Sequence, residues 1–305
     1  MRKKWWLLSL SALFALLLIA GCGSDTKETT DTPDEGETSQ SDGESETTSF
    51  EPGSYEDGLY FAQEDDFSEN SGWKYMVTLE VEDGEIVSAE WNGAHKNGGV
   101  DKITSSSSGE YGMVENGDAQ SEWHEQAELT EAYLLETQDP TAIEYSSDEG
   151  HTDAISGVSI HVAEFFDLAK EALANGPVER GMYKDGAYYA EEDDFSEDSG
   201  WKYTASLTVV NGYIVAADWN GIHEDGGDDK DTVSANGEYG MVENGGAQSE
   251  WHEQAELAEA YLLETQDPTA IEYTSDDGHT DAISGVTIHV SEFFELAEAA
   301  LADAK

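Results

Sequence analysis

Almost everything between residues 53 and 305 is written twice. The segment GSYEDGLYFAQEDDFSENSGWKY, starting at Gly53, returns as GMYKDGAYYAEEDDFSEDSGWKY at Gly181. Likewise EYGMVENGDAQSEWHEQAEL at Glu110 returns as EYGMVENGGAQSEWHEQAEL at Glu238. Roughly three quarters of the aligned positions match, without a gap. Units this long and complex are duplicated domains, because solenoid repeats run only about 20–50 residues. The chain is therefore expected to hold two tandem domains, 53–176 and 181–305. The joint between them, NGPVER (Asn175 to Arg180), is too short for free independence.

Inside a unit the periodicities are legible. Trp201, Tyr203, Ala205, Leu207 and Val209 alternate with mostly polar residues, which predicts a half-buried strand. Asn211-Gly212 then predicts a hairpin turn into YIVAADW, and the first repeat has Asp83-Gly84 at the same place. Trp251, Ala255, Ala258 and Leu262 follow helical spacing and stop before Gln266-Asp267-Pro268. A short strand is expected at AIEY (Ala270 to Tyr273). After it, Val290, Phe293, Phe294, Ala297 and Leu301 form one apolar helical stripe. Strands first and helices afterwards predict an α+β fold, each domain an antiparallel sheet with helices packed on one face.

The N-terminus carries a different kind of signal. MRKKWWLLSLSALFALLLIAGC has a basic start, an apolar run from Trp5 to Ile19 and then the chain's single cysteine, Cys22. This is the pattern of a secretory signal, expected at residues 1–21, and its apolar run is short of the roughly 20 residues a span needs. Ile19-Ala20-Gly21-Cys22 resembles the bacterial lipobox, in which the cysteine is lipidated and becomes the mature N-terminus. With Cys22 modified, no disulfide or cysteine-ligated metal remains. Residues 22–52 are mostly Ser, Thr, Glu, Asp and Gly, which predicts a disordered acidic tether. Its thirty-odd residues reach on the order of 100 Å when extended. The expectation is a lipid-anchored protein on the outer face of a cell membrane, its globular modules held away from the bilayer.

Charge narrows the partners. The formal net charge is −55 over 305 residues, with 38% hydrophobic residues to build cores. A phosphate backbone or an anionic headgroup would be repelled, so nucleic acid is excluded. The self-repulsion is screened by salt, which hints at a high-cation setting.

One segment carries the chemistry. HTDAISGVTIHV (His279 to Val290) repeats HTDAISGVSIHV (His151 to Val162) except that Thr287 stands where Ser159 does. A helix starting near Ile288 would put Thr287 at its N-cap. There the hydroxyl either caps the helix or marks a terminus that holds a phosphate through free N–H groups and the helix dipole. Gly285 allows a close backbone turn.

DAISGVT (Asp281 to Thr287) and DAISGVS (Asp153 to Ser159) resemble the flavinylation motif of the FMN-binding domain family. That family includes subunits of the sodium-pumping quinone reductase and of the Rnf complex. Its pattern is Asp, two variable residues, Ser or Thr, Gly, usually Ala, then Thr. The resemblance implies that a flavin transferase uses FAD to join FMN, through its phosphate, to the Thr287 hydroxyl. Asp281, Ser284 and Gly285 would be recognition or turn positions. In the first repeat Asp153, Ser156 and Gly157 correspond, with Ser159 as the second attachment site. Val158 and Val286 replace Ala, and Ser159 replaces Thr. The lipobox, tether and two such units together resemble the tandem flavin lipoproteins of Gram-positive extracellular electron transfer. The implied role is a carrier, not an enzyme. Electrons would come from a membrane quinone pool fed by an NADH dehydrogenase and pass to ferric iron or free flavins.

Further side chains are candidates for contact with the flavin: His279, His289, Trp219, Trp251 and His252, and in the first repeat His151, Trp91, Trp123 and His124. The histidines offer hydrogen bonds and the tryptophans a stacking face, although tryptophans at this spacing are mostly core. His252 and Glu256 have the i,i+4 spacing of metal sites, but the second histidine of His-Glu-x-x-His is missing, so no metal site is expected. EDDFSEDSG (Glu192 to Gly200) lacks the glycine placement and final bidentate Glu of a calcium loop. The competing reading is a surface binding module for a cation or small solute, with Thr287 and Ser159 as plain caps. A released signal peptide acting between cells is compatible with either.

Overall fold

The computed structural model describes residue 50, residues 52–117 and residues 119–305. The expected signal segment, Cys22 and the tether as far as residue 49 lie outside the described residues. The first repeat opens with an antiparallel meander of β1 (Gly58–Gln63), β2 (Trp73–Glu82) and β3 (Glu85–His95). It continues through α1 (Lys102–Ser107), α2 (Met113–Gly117), α3 (Trp123–Thr137) and α4 (Ala163–Asn175). The second repeat follows the same order. Its strands are β4 (Gly186–Glu191), β5 (Trp201–Val210) and β6 (Tyr213–His223), and its helices are α5 (Lys230–Ala235), α6 (Met241–Gly245), α7 (Trp251–Thr265) and α8 (Ser291–Ala300). The architecture is α+β, twice.

The local chemistry explains the elements. At the β2–β3 and β5–β6 turns both central residues are left-handed: Asp83 and Gly84 at φ 53° and 82°, Asn211 and Gly212 at 52° and 78°. That is the backbone of a type I′ hairpin, whose twist matches its strands. Gln138 and Gln266, also left-handed at φ 58° and 59°, end α3 and α7. Each then clamps the sheet with its amide. Gln266 Oε1 accepts from the Ile214 N–H at 2.8 Å and its Nε2 donates to the Ile214 carbonyl at 2.9 Å. The stripe on the last helix is buried as its spacing predicts, with Val290, Phe293, Phe294, Ala297 and Leu301 all at most 2% exposed.

Two expectations fail. AIEY is not a strand, since both sheets stop at three strands. The outer edge of β6 is already covered: Gln266 takes the Ile214 N–H, and Glu259 Oε1 accepts from the Trp219 N–H at 2.7 Å. A fourth strand has no free edge to pair with there. In addition, the last helix begins at Ser291 with Val290 at its N-cap, so Thr287 lies three residues upstream of that cap, in the preceding loop. The bulky Val290, buried completely, is what locates the helix start.

The two repeats are not equal. Helices cover one face of each sheet, and on the other face the sheets meet. Met76, Ala94, Val210, Val215 and Ala216 form a separate buried cluster, joined by Phe61, Phe67 and Tyr213. Thr208 Oγ1 donates to the Gly99 carbonyl at 2.8 Å across this contact. Val178 in the joint adds an antiparallel bridge to Leu59. Among the described residues no helix is long and apolar enough to cross a membrane.

Candidate functional site

The loop that ends in Thr287 is pinned from inside. Thr280 Oγ1 donates to the Glu272 carbonyl at 2.7 Å and accepts from the Ala282 N–H at 3.0 Å. Ile283 and Val286 are buried and anchor the loop in the core. Between them Gly285 takes φ 91°, a conformation costly for any side chain, and a Cβ there would stand 3.2 Å from Leu257 Cδ1. The loop therefore turns sharply and presents Thr287 outward, exposed.

A buried glutamine sets the hydroxyl. Gln254 on α7 is 1% exposed, and its Oε1 accepts from the Thr287 N–H at 2.7 Å and the Ile288 N–H at 3.2 Å. The Thr287 hydroxyl donates to the same oxygen at 3.2 Å. In the first repeat Gln126 holds Ser159 and Ile160 with the same three distances, 2.7, 3.2 and 3.2 Å. Hence neither hydroxyl caps a helix. Each backbone N–H keeps its partner whether or not the hydroxyl is modified. Asp281, Ser284 and Gly285 are exposed around Thr287, as Asp153, Ser156 and Gly157 are around Ser159.

Beside Ser159 lies a cavity of about 260 Å³, lined by Tyr75, Tyr111, Trp123, His151 and His161 among others. His151 and His161 stand edge to face, centroids 4.3 Å apart, and His279 and His289 repeat that arrangement at 4.3 Å. Of the tryptophan candidates in the first repeat, Trp123 reaches the cavity. Trp91 lies in the core against Trp123 and Phe165, its indole Nε1 without a partner. Trp219 and Trp251 pack on each other in the same way, centroids 5.1 Å apart. His124 and His252 serve another joint: each Nδ1 sits 2.9 Å from a serine hydroxyl, Ser106 or Ser234, which ties α1 to α3 and α5 to α7.

Three groups of residues escaped the sequence reading. Gln126 and Gln254 looked like ordinary helix positions in WHEQAE. Tyr75 and Tyr111, with Tyr203 and Tyr239, looked like strand and loop aromatics. The third group is a lysine buried in each repeat. Lys102, wholly buried, holds its ammonium 4.0 Å from the Tyr111 ring centre and 4.2 Å from that of Trp73, with Tyr75 and Trp123 at 5.2 and 5.3 Å. It has no hydrogen-bond partner. Lys230 occupies the equivalent aromatic box and donates to the Tyr239 hydroxyl at 2.9 Å. Burial pulls both amines down to about 7. A signal for them exists in retrospect: Asp-Lys survives in both repeats where its neighbours, GGVDKITSSS and GGDDKDTVSA, have diverged.

No family model matches this chain, and no curated protein matches it. Two solved structures are similar to part of it. One is the solution NMR structure of a Clostridium thermocellum protein, 68% identical, covering 39% of this chain and 91% of that one, with a TM-score of 0.32. The other is a crystal structure of a Clostridium perfringens protein, 22% identical, covering 40% of this chain and 88% of that one, also with a TM-score of 0.32.

Proposed function

We propose that the protein is a lipid-anchored carrier of electrons at the outer face of a cell membrane, bearing FMN on Thr287 and Ser159. One observation carries the reading. In both repeats an exposed hydroxyl projects from a glycine-turned loop, with a buried glutamine behind it and a histidine pair at its base. In the first repeat an aromatic cavity opens beside it. Those residues fit the group. A phosphoester oxygen at Thr287 needs only to release the weak 3.2 Å hydroxyl bond, because the two N–H bonds to Gln254 do not involve it. Tyr75, Tyr111 and Trp123 offer flat faces for a ring system, and the same rings hold the Lys102 ammonium.

When attached, FMN supplies the one- and two-electron chemistry, and the protein supplies position and electrostatics. Gln126 and Gln254 would fix the attachment points, and in the second repeat His279 and His289, at the base of the loop, would donate to phosphate oxygens. The partners of this reading are a flavin transferase, a quinone pool fed by an NADH dehydrogenase, and extracellular ferric iron or free flavins. Cys22 is its membrane anchor.

Intact mass after co-expression with a flavin transferase tests it. Two FMN adducts are expected for the native chain. One is expected for Thr287→Ala, with the remaining adduct lost in the Thr287→Ala, Ser159→Ala double variant. A chain without adducts supports the binding-module reading instead, and unchanged flavin in the double variant sinks the covalent proposal.

A further inference from the structure

We infer that the first repeat contains a divalent transition-metal site, of the kind that takes zinc, formed by Glu149, His151 and His161. Ligand atoms of these three residues lie within 4.8 Å of one another, and among the described residues they are the group of this kind. His151 Nε2 stands 3.9 Å from Glu149 Oε2. The backbone brings them together. The Val162 N–H donates to the Gly150 carbonyl at 2.9 Å, so the residues flanking that bond, His151 and His161, become neighbours across two segments. Gly150 makes the approach possible, since a Cβ on it would meet Ala163 Cβ at 2.5 Å.

The donor set selects the ion. Two imidazoles and one carboxylate suit zinc and its neighbours, whereas calcium and magnesium take oxygen ligands. Atoms bound to one zinc at about 2.0–2.1 Å stand roughly 3.3 Å apart in a tetrahedron. Closure therefore needs only small side-chain rotations, and the exposed Glu149 and half-exposed His161 are free to make them. Three protein ligands leave one tetrahedral position open, for water or an anion.

A second observation points to the same place. Glu164 borders this cavity, with Oε1 3.9 Å from His161 Nδ1, and its Oε2 is buried without a partner. A buried, unpaired carboxylate oxygen is costly unless a cation or donor meets it. The second repeat is the internal control. There Asp277, one methylene shorter, replaces Glu149, and Ser291 replaces Ala163. Ser291 Oγ donates to Glu292 Oε2 at 3.0 Å, which satisfies the equivalent carboxylate, and Ser275 Oγ lies 3.4 Å from His279 Nδ1. Both differences make the first repeat the better site.

The test uses the full chain made without a flavin transferase, so that it does not depend on flavin attachment. Zinc is titrated by calorimetry in excess magnesium and calcium, which occupy the acidic surface. Cobalt is added in parallel for its visible absorption. The expected result is one zinc per chain and a cobalt spectrum typical of nitrogen ligation. His161→Ala and Glu149→Gln should each weaken zinc at least about tenfold, the smaller end of what loss of an outer-shell partner alone costs. His279→Ala should leave it unchanged, and circular dichroism confirms that the variants fold. Zinc displaced by millimolar calcium, or an equal loss in His279→Ala, would overturn the assignment. The outcome is read separately from flavin mass, so either proposal can fail alone.

Discussion

Lys102 is the side chain whose environment is hardest to reconcile with its chemistry. An ammonium buried among four aromatic rings gains cation–π attraction worth about 2 kcal/mol or more when desolvated, but it lacks a carboxylate or a hydrogen bond. Its amine is therefore held at about 7, against about 10.4 in an unfolded chain. Between those values the unfolded state binds more protons, so this group makes stability rise with pH from about 7 to about 10. Below 7 the full burden of the charge is present. Replacing it by a similarly shaped apolar residue should remove that burden. We expect Lys102→Met to stabilise the chain at pH 6 by about 1–4 kcal/mol, on the scale seen when buried ion pairs are replaced by apolar side chains. The gain should shrink by pH 9. Urea denaturation at the two pH values checks it, and destabilisation at pH 6 would mean that the ammonium has a favourable partner there. For Lys230, which donates to Tyr239, the gain should be smaller.

The loop and the helix behind it form one device. Gln254 on α7 takes three hydrogen bonds from Thr287 and Ile288 through a single oxygen, and its Nε2 donates to the Ser249 carbonyl at 3.2 Å. Gln254→Ala leaves those N–H groups facing a space that the side chain filled. Leaving a buried donor unsatisfied costs about 1–3 kcal/mol, so the variant should lose that much stability in a denaturant titration. Hydrogen exchange at Thr287 and Ile288 should accelerate while the core of α7 stays protected. Helical spacing alone marks Gln254 as facing inward with Trp251, Ala255 and Ala258. What it meets 33 residues later is not written in that spacing. The same gap explains the misplaced helix start. A hydroxyl before an apolar run reads as an N-cap, but Val290 packs into the core one turn later, and burial decides the boundary.

Across the described chain, carboxylates dominate the response to acid. Burial pushes Glu131 and Asp218 up to about 7, and Glu259 is raised as well, with Asp218 and Glu259 lining a cleft of about 340 Å³ beside Lys74 and Lys96. A carboxyl whose folded pKa is raised contributes stability below about 4, and loses it as pH rises through about 7. Relief of self-repulsion at −55 acts in the same direction. The midpoint of thermal unfolding should therefore be higher at pH 5 than at pH 7.5, the reverse of the common trend. The difference should narrow in an Asp218→Asn, Glu131→Gln variant. Calorimetry at fixed salt checks this, because salt screens the repulsive part with a length of about 10 Å at 0.1 M. A midpoint that climbs from pH 5 to pH 7.5 would show that these carboxyls are charged in the folded state.

The duplication, the I′ hairpins, the two main helices of each repeat and the apolar stripe of α8 were determined by local periodicity and turn chemistry alone, since each depends on residues within a turn or two of one another. Even the asymmetry between repeats left a trace: Val210, Tyr213 and Ala216 stand where the first repeat has Glu82, Glu85 and Ser88. That trace acquires meaning only once the sheets meet at Met76, Ala94 and Val215. Tertiary structure alone decided which edges were already paired, which lysines were buried, and which histidines became neighbours. Those outcomes join residues far apart in the chain, and packing, desolvation and the closing of hydrogen bonds set them jointly, so no single segment contains them.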